Sequence, residues 1–121
     1  MITLEIPRIP ESPNDLRRFH WRHRYRHDQL WKDEVRYAVL QSKPLNIPFA
    51  KAKISIDRRS RGRLDPDNLV SAMKPVIDAL RHAGVIQNDT TDHIELHITQ
   101  SSGHRLAART LIEITPIEET T

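Results

Sequence analysis

The strongest constraint on this chain is a change of hydrophobic period partway along it. From Phe49 to Arg58, Ala50, Ala52, Ile54 and Ile56 alternate with Lys51, Lys53, Ser55 and Asp57, the pattern of a strand with one buried face. Just before it, from about Asp28 to Gln41, Trp31, Val35, Ala38 and Val39 recur at helical spacing among Lys32, Asp33, Glu34 and Arg36. That spacing predicts an amphipathic helix ending before Pro44. A chain of 121 residues that must bury a helical stripe against a strand face has room for one core, so a single α/β (α+β) domain is expected.

The remaining segments fill in the order. Thr3 to Ile6 reads as a short strand stopped by Pro7, and Pro10, Ser12, Pro13 and Asn14 predict an irregular connection with no helix in it. Asp65 followed by Pro66 has the form of a helix N-cap and first-turn proline, and Leu69, Met73, Val76, Ile77 and Leu80 carry an apolar stripe toward a stop at Gly84. Pro75 interrupts that helix by removing a backbone donor and crowding the Ser71 carbonyl, which predicts a kink or two short helices meeting near Lys74. Two further strands, about His93 to Thr99 and Ala107 to Thr115, are expected to form a hairpin through Ser101-Ser102-Gly103-His104. The expected fold is a small mixed sheet with two main helices in the order β-α-β-α-β-β.

Composition narrows the chemistry. The chain has no cysteine, which excludes disulfides, thiolate ligands and a cysteine nucleophile. No apolar run approaches the length of a membrane span and the first residues lack a leader pattern, so a soluble, cytoplasmic protein is expected. The net charge is only +3, but it is unevenly spread. Between Arg17 and His27 there is no acidic residue, and Phe19, Trp21 and Tyr25 interleave with Arg17, Arg18, Arg22, Arg24 and Arg26. A second cluster, Arg58, Arg59, Arg61 and Arg63, runs into Asp65 and Asp67. The acidic tail after Ile117 is expected to be frayed.

Carboxylates beside arginines suit phosphodiester chemistry, which needs an activated water, a neutralised phosphate and a stabilised leaving oxygen; divalent ions on carboxylates can supply all three. Asp65, Asp67 and Asp89 are the candidates, and Ser71, Lys74 and Asp78 fall on the helical face of Asp67. Plainer roles compete: Asp65 as a cap, Asp67 as a partner of the helix dipole, Asp89 as a turn residue, and Lys74 and Asp78 as a solvated face. His20, His23 and His27 share a helical face, which makes zinc a weaker alternative.

The run Arg63-Leu64-Asp65-Pro66-Asp67-Asn68-Leu69, followed by Lys74, Asp78-Ala79-Leu80, Ala83-Gly84-Val85-Ile86 and Asn88-Asp89, resembles the RusA family of Holliday-junction resolvases. The likeness is strongest from about Arg58 to Ile94, and Ser12-Pro13-Asn14 resembles the family's amino-terminal part. The resemblance implies a RusA-like homodimer that binds branched DNA, above all four-way junctions, and makes paired nicks with Mg²⁺ or Mn²⁺, in a phage or prophage setting. It implies that Asp65, Asp67 and Asp89 are the metal ligands and that Lys74 acts with them. The basic runs themselves suggest phosphate contacts by Arg17, Arg18, Arg22, Arg24, Arg26, Arg58, Arg59, Arg61 and Arg63, and base stacking by Phe19, Trp21 or Tyr25, with a place in the core or a dimer interface the competing role for Trp21. The sequence departs from the family where Ser71 stands in place of the usual lysine, Lys74 following three residues later, and at Asn88, where a second acid is usual. The main rival expectation is a non-catalytic nucleic-acid-binding protein of the same fold; a module for an acidic protein partner is another.

Overall fold

The computed structural model describes residues 1–17, 20–90 and 92–117. Arg18, Phe19 and the tail after Ile117, all of which carried expectations, lie outside the described residues. The elements are β1 (Ile2–Ile6), α1 (Pro13–Arg17), α2 (Trp21–Ser42), β2 (Ala52–Ser60), α3 (Pro66–Ala72), α4 (Lys74–His82), β3 (Ile94–Ser102) and β4 (Arg109–Pro116). The strands form one mixed sheet in the order β1-β4-β2-β3.

Why these segments take these forms is largely local. Asp65 caps α3 by accepting from the Asn68 backbone N–H at 2.9 Å, with Pro66 pre-set in the first turn. The expected break at Pro75 is present: α3 ends and α4 begins at buried Met73, with Pro75 in the first turn of α4. Gly84 then closes the helix at φ +80°, a conformation in which a Cβ would be strained.

Three expectations are corrected. The Ser12 to Arg17 stretch is not irregular: the Ser12 hydroxyl accepts from the Asp15 N–H at 3.1 Å and starts α1, the same cap-then-proline device as Asp65-Pro66. The helix placed from Asp28 starts at Trp21, because arginine is a good helix former and the inward position one turn before Trp31 is filled by buried His27, which hydrophobic periodicity does not register.

The third correction concerns β3 and β4, which form no hairpin. β3 pairs with β2 in parallel, Ala52 opposite Ile94 through Ser60 opposite Ser102, while β4 pairs antiparallel with the other side of β2. The α3–α4 crossover returns the chain to the open edge of β2, so residues 103–108 must step over the end of β2, about 10 Å at two strand spacings. That is too far for a tight turn.

Register explains the core. Three cross-sheet rows face the helices: Ile2-Ile114-Ile54-Leu96, Leu4-Ile112-Ile56-Ile98 and Ile6-Thr110-Arg58-Gln100. The first two pack with Trp31, Val35, Val39, Met73, Val76 and Leu80. The third turns polar. Its polar side chains bond loop backbone: Thr110 Oγ1 donates to the Arg8 carbonyl at 2.8 Å, Arg58 Nη1 to the Gly62 carbonyl at 3.2 Å, and Gln100 to Leu64. The opposite sheet face carries Lys53, Ser55, Asp57, Arg59, Glu95, His97 and Thr99, all exposed or half-buried.

Trp31 is fully buried at the meeting of helix and sheet. Trp31→Ala is expected to cost about 3–5 kcal/mol, read as a lower denaturant midpoint at an unchanged slope in urea unfolding.

Candidate functional site

β1, β2 and β3 run in one direction and β4 against them, so the strands have a shared carboxyl end. Most of the candidate residues collect there. The loop from Arg61 to Asp65 leaves β2 at this end, and α1 packs against α3. α2 runs back along β1, with Ser42 and Thr3 lining one groove and His27 beside Glu11, so its Trp21 end lies at the same edge.

The loop bearing the acids is clamped from below. Gln100 accepts from the Leu64 N–H at 3.0 Å and donates to the Leu64 carbonyl at 2.7 Å, engaging both backbone groups of one residue. Arg63 Nη1 reaches Ser102 Oγ at 3.4 Å. Asp65 and Asp67 are exposed. Both Asp65 oxygens accept from Asn68, the second from its side-chain amide at 3.1 Å, leaving a lone pair on each oxygen free. Among the described residues, Asp67 has no bonding partner.

Asp89 lies elsewhere. Ile86 bridges to Phe49 ahead of β2, and Gln87 N–H bonds the Phe49 carbonyl at 3.2 Å, so Asp89 sits at the amino end of the parallel strands. Eight residue steps of β2 at about 3.3 Å each put roughly 20 Å or more between it and Asp65. Accordingly, among the described residues no three His, Asp or Glu side chains are grouped to hold a metal. One chain therefore brings Asp65 and Asp67 to a common helix end and leaves Asp89 apart. Two carboxylates fit the protein share of a magnesium site, since Mg²⁺ keeps most of its waters and takes the rest from substrate phosphate. Lys74 is exposed at the first residue of α4, while Asp78 lines a cleft of about 350 Å³ with Asp28, Lys32, Pro75, Arg81 and His82.

The basic residues divide. Arg17, Arg22, Arg24, Arg26, Arg61 and Arg63 are exposed, and Arg59 is half-buried. Trp21 and Tyr25 are 57% and 60% exposed, on the solvent side of α2 and not in the core, with Arg22 over the Trp21 ring at 5.6 Å. Arg58 does not belong to that surface. It is 7% exposed because its β2 position faces inward, burial lowers its pKa, and its Nε has no partner among the described residues. The zinc expectation gains nothing: His23 Nε2 pairs with Glu11 at 2.8 Å, and His27 Nε2 faces the Glu11 N–H at 3.1 Å, which a neutral imidazole nitrogen accepts.

Sequence reasoning missed Gln100, whose partner lies 36 residues away; only knowledge that β3 pairs with β2 reveals it. It also missed the Asp57 network on the outer face. Partial burial by itself raises the Asp57 pKa, but bonds from Arg59, Thr99 and Ser101 outweigh it and hold the carboxyl below its ordinary value.

No protein-family model matches the chain, and comparison with curated proteins gives no match.

A carboxyl with a depressed folded-state pKa adds stability that is complete above its unfolded value, near 3.8 here, and lost as pH falls through the folded one. Asp57→Asn is expected to destabilise the protein by about 1–3 kcal/mol at neutral pH and to flatten the loss of stability as pH falls below about 3.8. Urea titrations at stepped pH measure both.

Proposed function

We propose that this protein is a metal-dependent endonuclease of branched DNA, resolving four-way junctions by paired nicks. One observation carries the reading: the exposed Asp65–Asp67 turn shares one end of the sheet with the arginines of α1, the first turns of α2 and the 59–63 segment. Acids alone would repel a DNA backbone, and arginines alone would only hold it. Side by side, they suit an ion and a phosphate brought together.

The division of labour follows from exposure. Arg17, Arg22, Arg24, Arg26, Arg61 and Arg63 neutralise backbone phosphates on either side of the cut. Trp21 and Tyr25, with open ring faces, stack on bases unpaired at the crossover. Asp65 and Asp67 would hold Mg²⁺ or Mn²⁺, which would supply Lewis acidity for activating a water and neutralising the phosphate. Lys74 stabilises charge developing on the phosphate oxygens. Asp89 joins this set only from a second copy, and a two-fold pair of chains also matches a junction that must be cut twice at equivalent places. The resemblance of the 63–89 segment to the RusA resolvases supports the same assignment.

With a labelled four-way junction, the protein is expected to give paired nicks in Mg²⁺ and none in EDTA. Asp67→Asn should bind the junction within about twofold of the parent and cut at least 10²-fold more slowly, as expected where a metal ligand is lost and the phosphate contacts remain. Binding without cleavage by the parent in any divalent ion would favour the non-catalytic reading. A binding constant indifferent to salt would argue against phosphate contacts altogether.

A further inference from the structure

Among the described residues, every arginine but one is exposed or stands beside a carboxylate. Arg8 pairs with Glu34, Arg59 with Asp57 and Arg109 with Glu5. Arg58 has neither arrangement. It is 7% exposed, and the alternation along β2 turns it inward. Its cross-strand neighbours Thr110 and Gln100 are neutral. Its Nη1 donates to the Gly62 carbonyl at 3.2 Å, and its Nε is buried with no partner among the described residues.

The acid next to it in the chain offers no relief. Asp57 faces the opposite side of the sheet, where Arg59, Thr99 and Ser101 engage both of its oxygens. Burial lowers the Arg58 pKa with no carboxylate to offset the loss. A guanidinium stays charged in a protein, so one neutral carbonyl meets only part of the cost of burying it. For the fold alone an apolar side chain would serve better at this register position, as Ile54 and Ile56 do in the two rows before it.

The surroundings of the guanidinium supply a reason. It ends at the Arg61-Gly62-Arg63 turn, whose two arginines are exposed. The turn is open there, since no atom lies within 4 Å of the place a Cβ on Gly62 would take. Asp65, further along the loop, is engaged with Asn68.

We infer that this corner binds an oxyanion, a phosphate or phosphodiester group, whose charge completes the recessed Arg58 while Arg61 and Arg63 hold it from the solvent side. A guanidinium offers its donors in a fixed fork that an oxyanion can take two at a time. The exposed arginines neutralise whatever phosphate comes near. A desolvated charge acts at one point and more strongly. Keeping it at a cost to the fold is the mark of a binding position. The site does not depend on the nuclease reading; assigning its ligand to the DNA backbone does.

Urea unfolding with inorganic phosphate as the probe, ionic strength being held constant with chloride, tests the site. The parent midpoint is expected to rise with phosphate, since a ligand bound only by the folded state stabilises it. Arg58→Gln should lose that response and Arg58→Lys should retain part of it. Arg36→Gln, which removes an exposed arginine midway along α2, should respond as the parent does. Without phosphate, Arg58→Met should unfold no earlier than the parent, because the charge it removes is unpaired. A parent indifferent to phosphate, or a response that Arg58→Gln leaves intact, overturns the inference. If Arg58→Gln fails to fold, the Nε–H resonance of Arg58 in the parent decides: it should shift as phosphate is added, and an unmoved resonance sinks the site.

A labelled four-way junction separates the two sources of the oxyanion. If the ligand is the DNA backbone, Arg58→Gln weakens junction binding about tenfold and lowers the slope of log K against log salt by about one. Loss of the phosphate response with junction binding unchanged assigns the site to free phosphate. A parent that cuts junctions but ignores phosphate sinks the site and spares the nuclease reading. A phosphate-responsive parent that cuts nothing does the reverse.

Discussion

The third inward row of the sheet, Ile6-Thr110-Arg58-Gln100, governs what the rest of the molecule can do. Two rows below it are apolar and serve the core. This one spends three side chains on the backbone of the segments that leave the sheet: the arm at Arg8, the turn at Gly62 and the loop at Leu64. Buried polar groups are costly when unpaired and stiffening when paired. Placing them at one edge therefore converts part of the core into a mount for loops. The clamp on Leu64 matters most, because it fixes the residue immediately before the cap of α3 and so the direction in which Asp65 and Asp67 leave the sheet.

Electrostatics act on top of that scaffold. Desolvation makes the Arg58 charge expensive, and its pKa falls as a result, while its bonding partner among the described residues is a neutral carbonyl. On the other sheet face Asp57 has the opposite fate, with donors from β2 and β3 stabilising its charge. A charge facing in and a charge facing out thus sit at neighbouring positions of β2, Arg58 holding the turn at Gly62 and Asp57 cross-linking β2 to β3.

What could be read from the sequence was whatever depends on neighbours in the chain. The Asp65-Pro66 cap, the break at Pro75, the stop at Gly84 and the alternation through Ile54 and Ile56 are local signals, and the structure has each of them. The partner of β3 is not local. A serine- and glycine-containing connection between two strands favours a hairpin until the crossover through α3 and α4 is seen to deliver β3 to β2. The first two turns of α2 were hidden for a different reason: their inward position is a histidine. The candidate residues of the Asp65–Asp67 turn were legible as a motif, whereas the remoteness of Asp89 follows from strand direction, which no spacing along the chain encodes.

The joint at Met73 has a consequence for how such a chain can vary. Because α3 stops and α4 restarts around one buried side chain, the two segments need not keep a common helical phase. Residues gained or lost on the exposed side of the joint alter the reach from the acidic turn to Lys74 without disturbing a single rung of the sheet. Length changes there are absorbed as in a telescoping coupling, and the spacing of chemical groups becomes adjustable while the platform beneath them stays fixed.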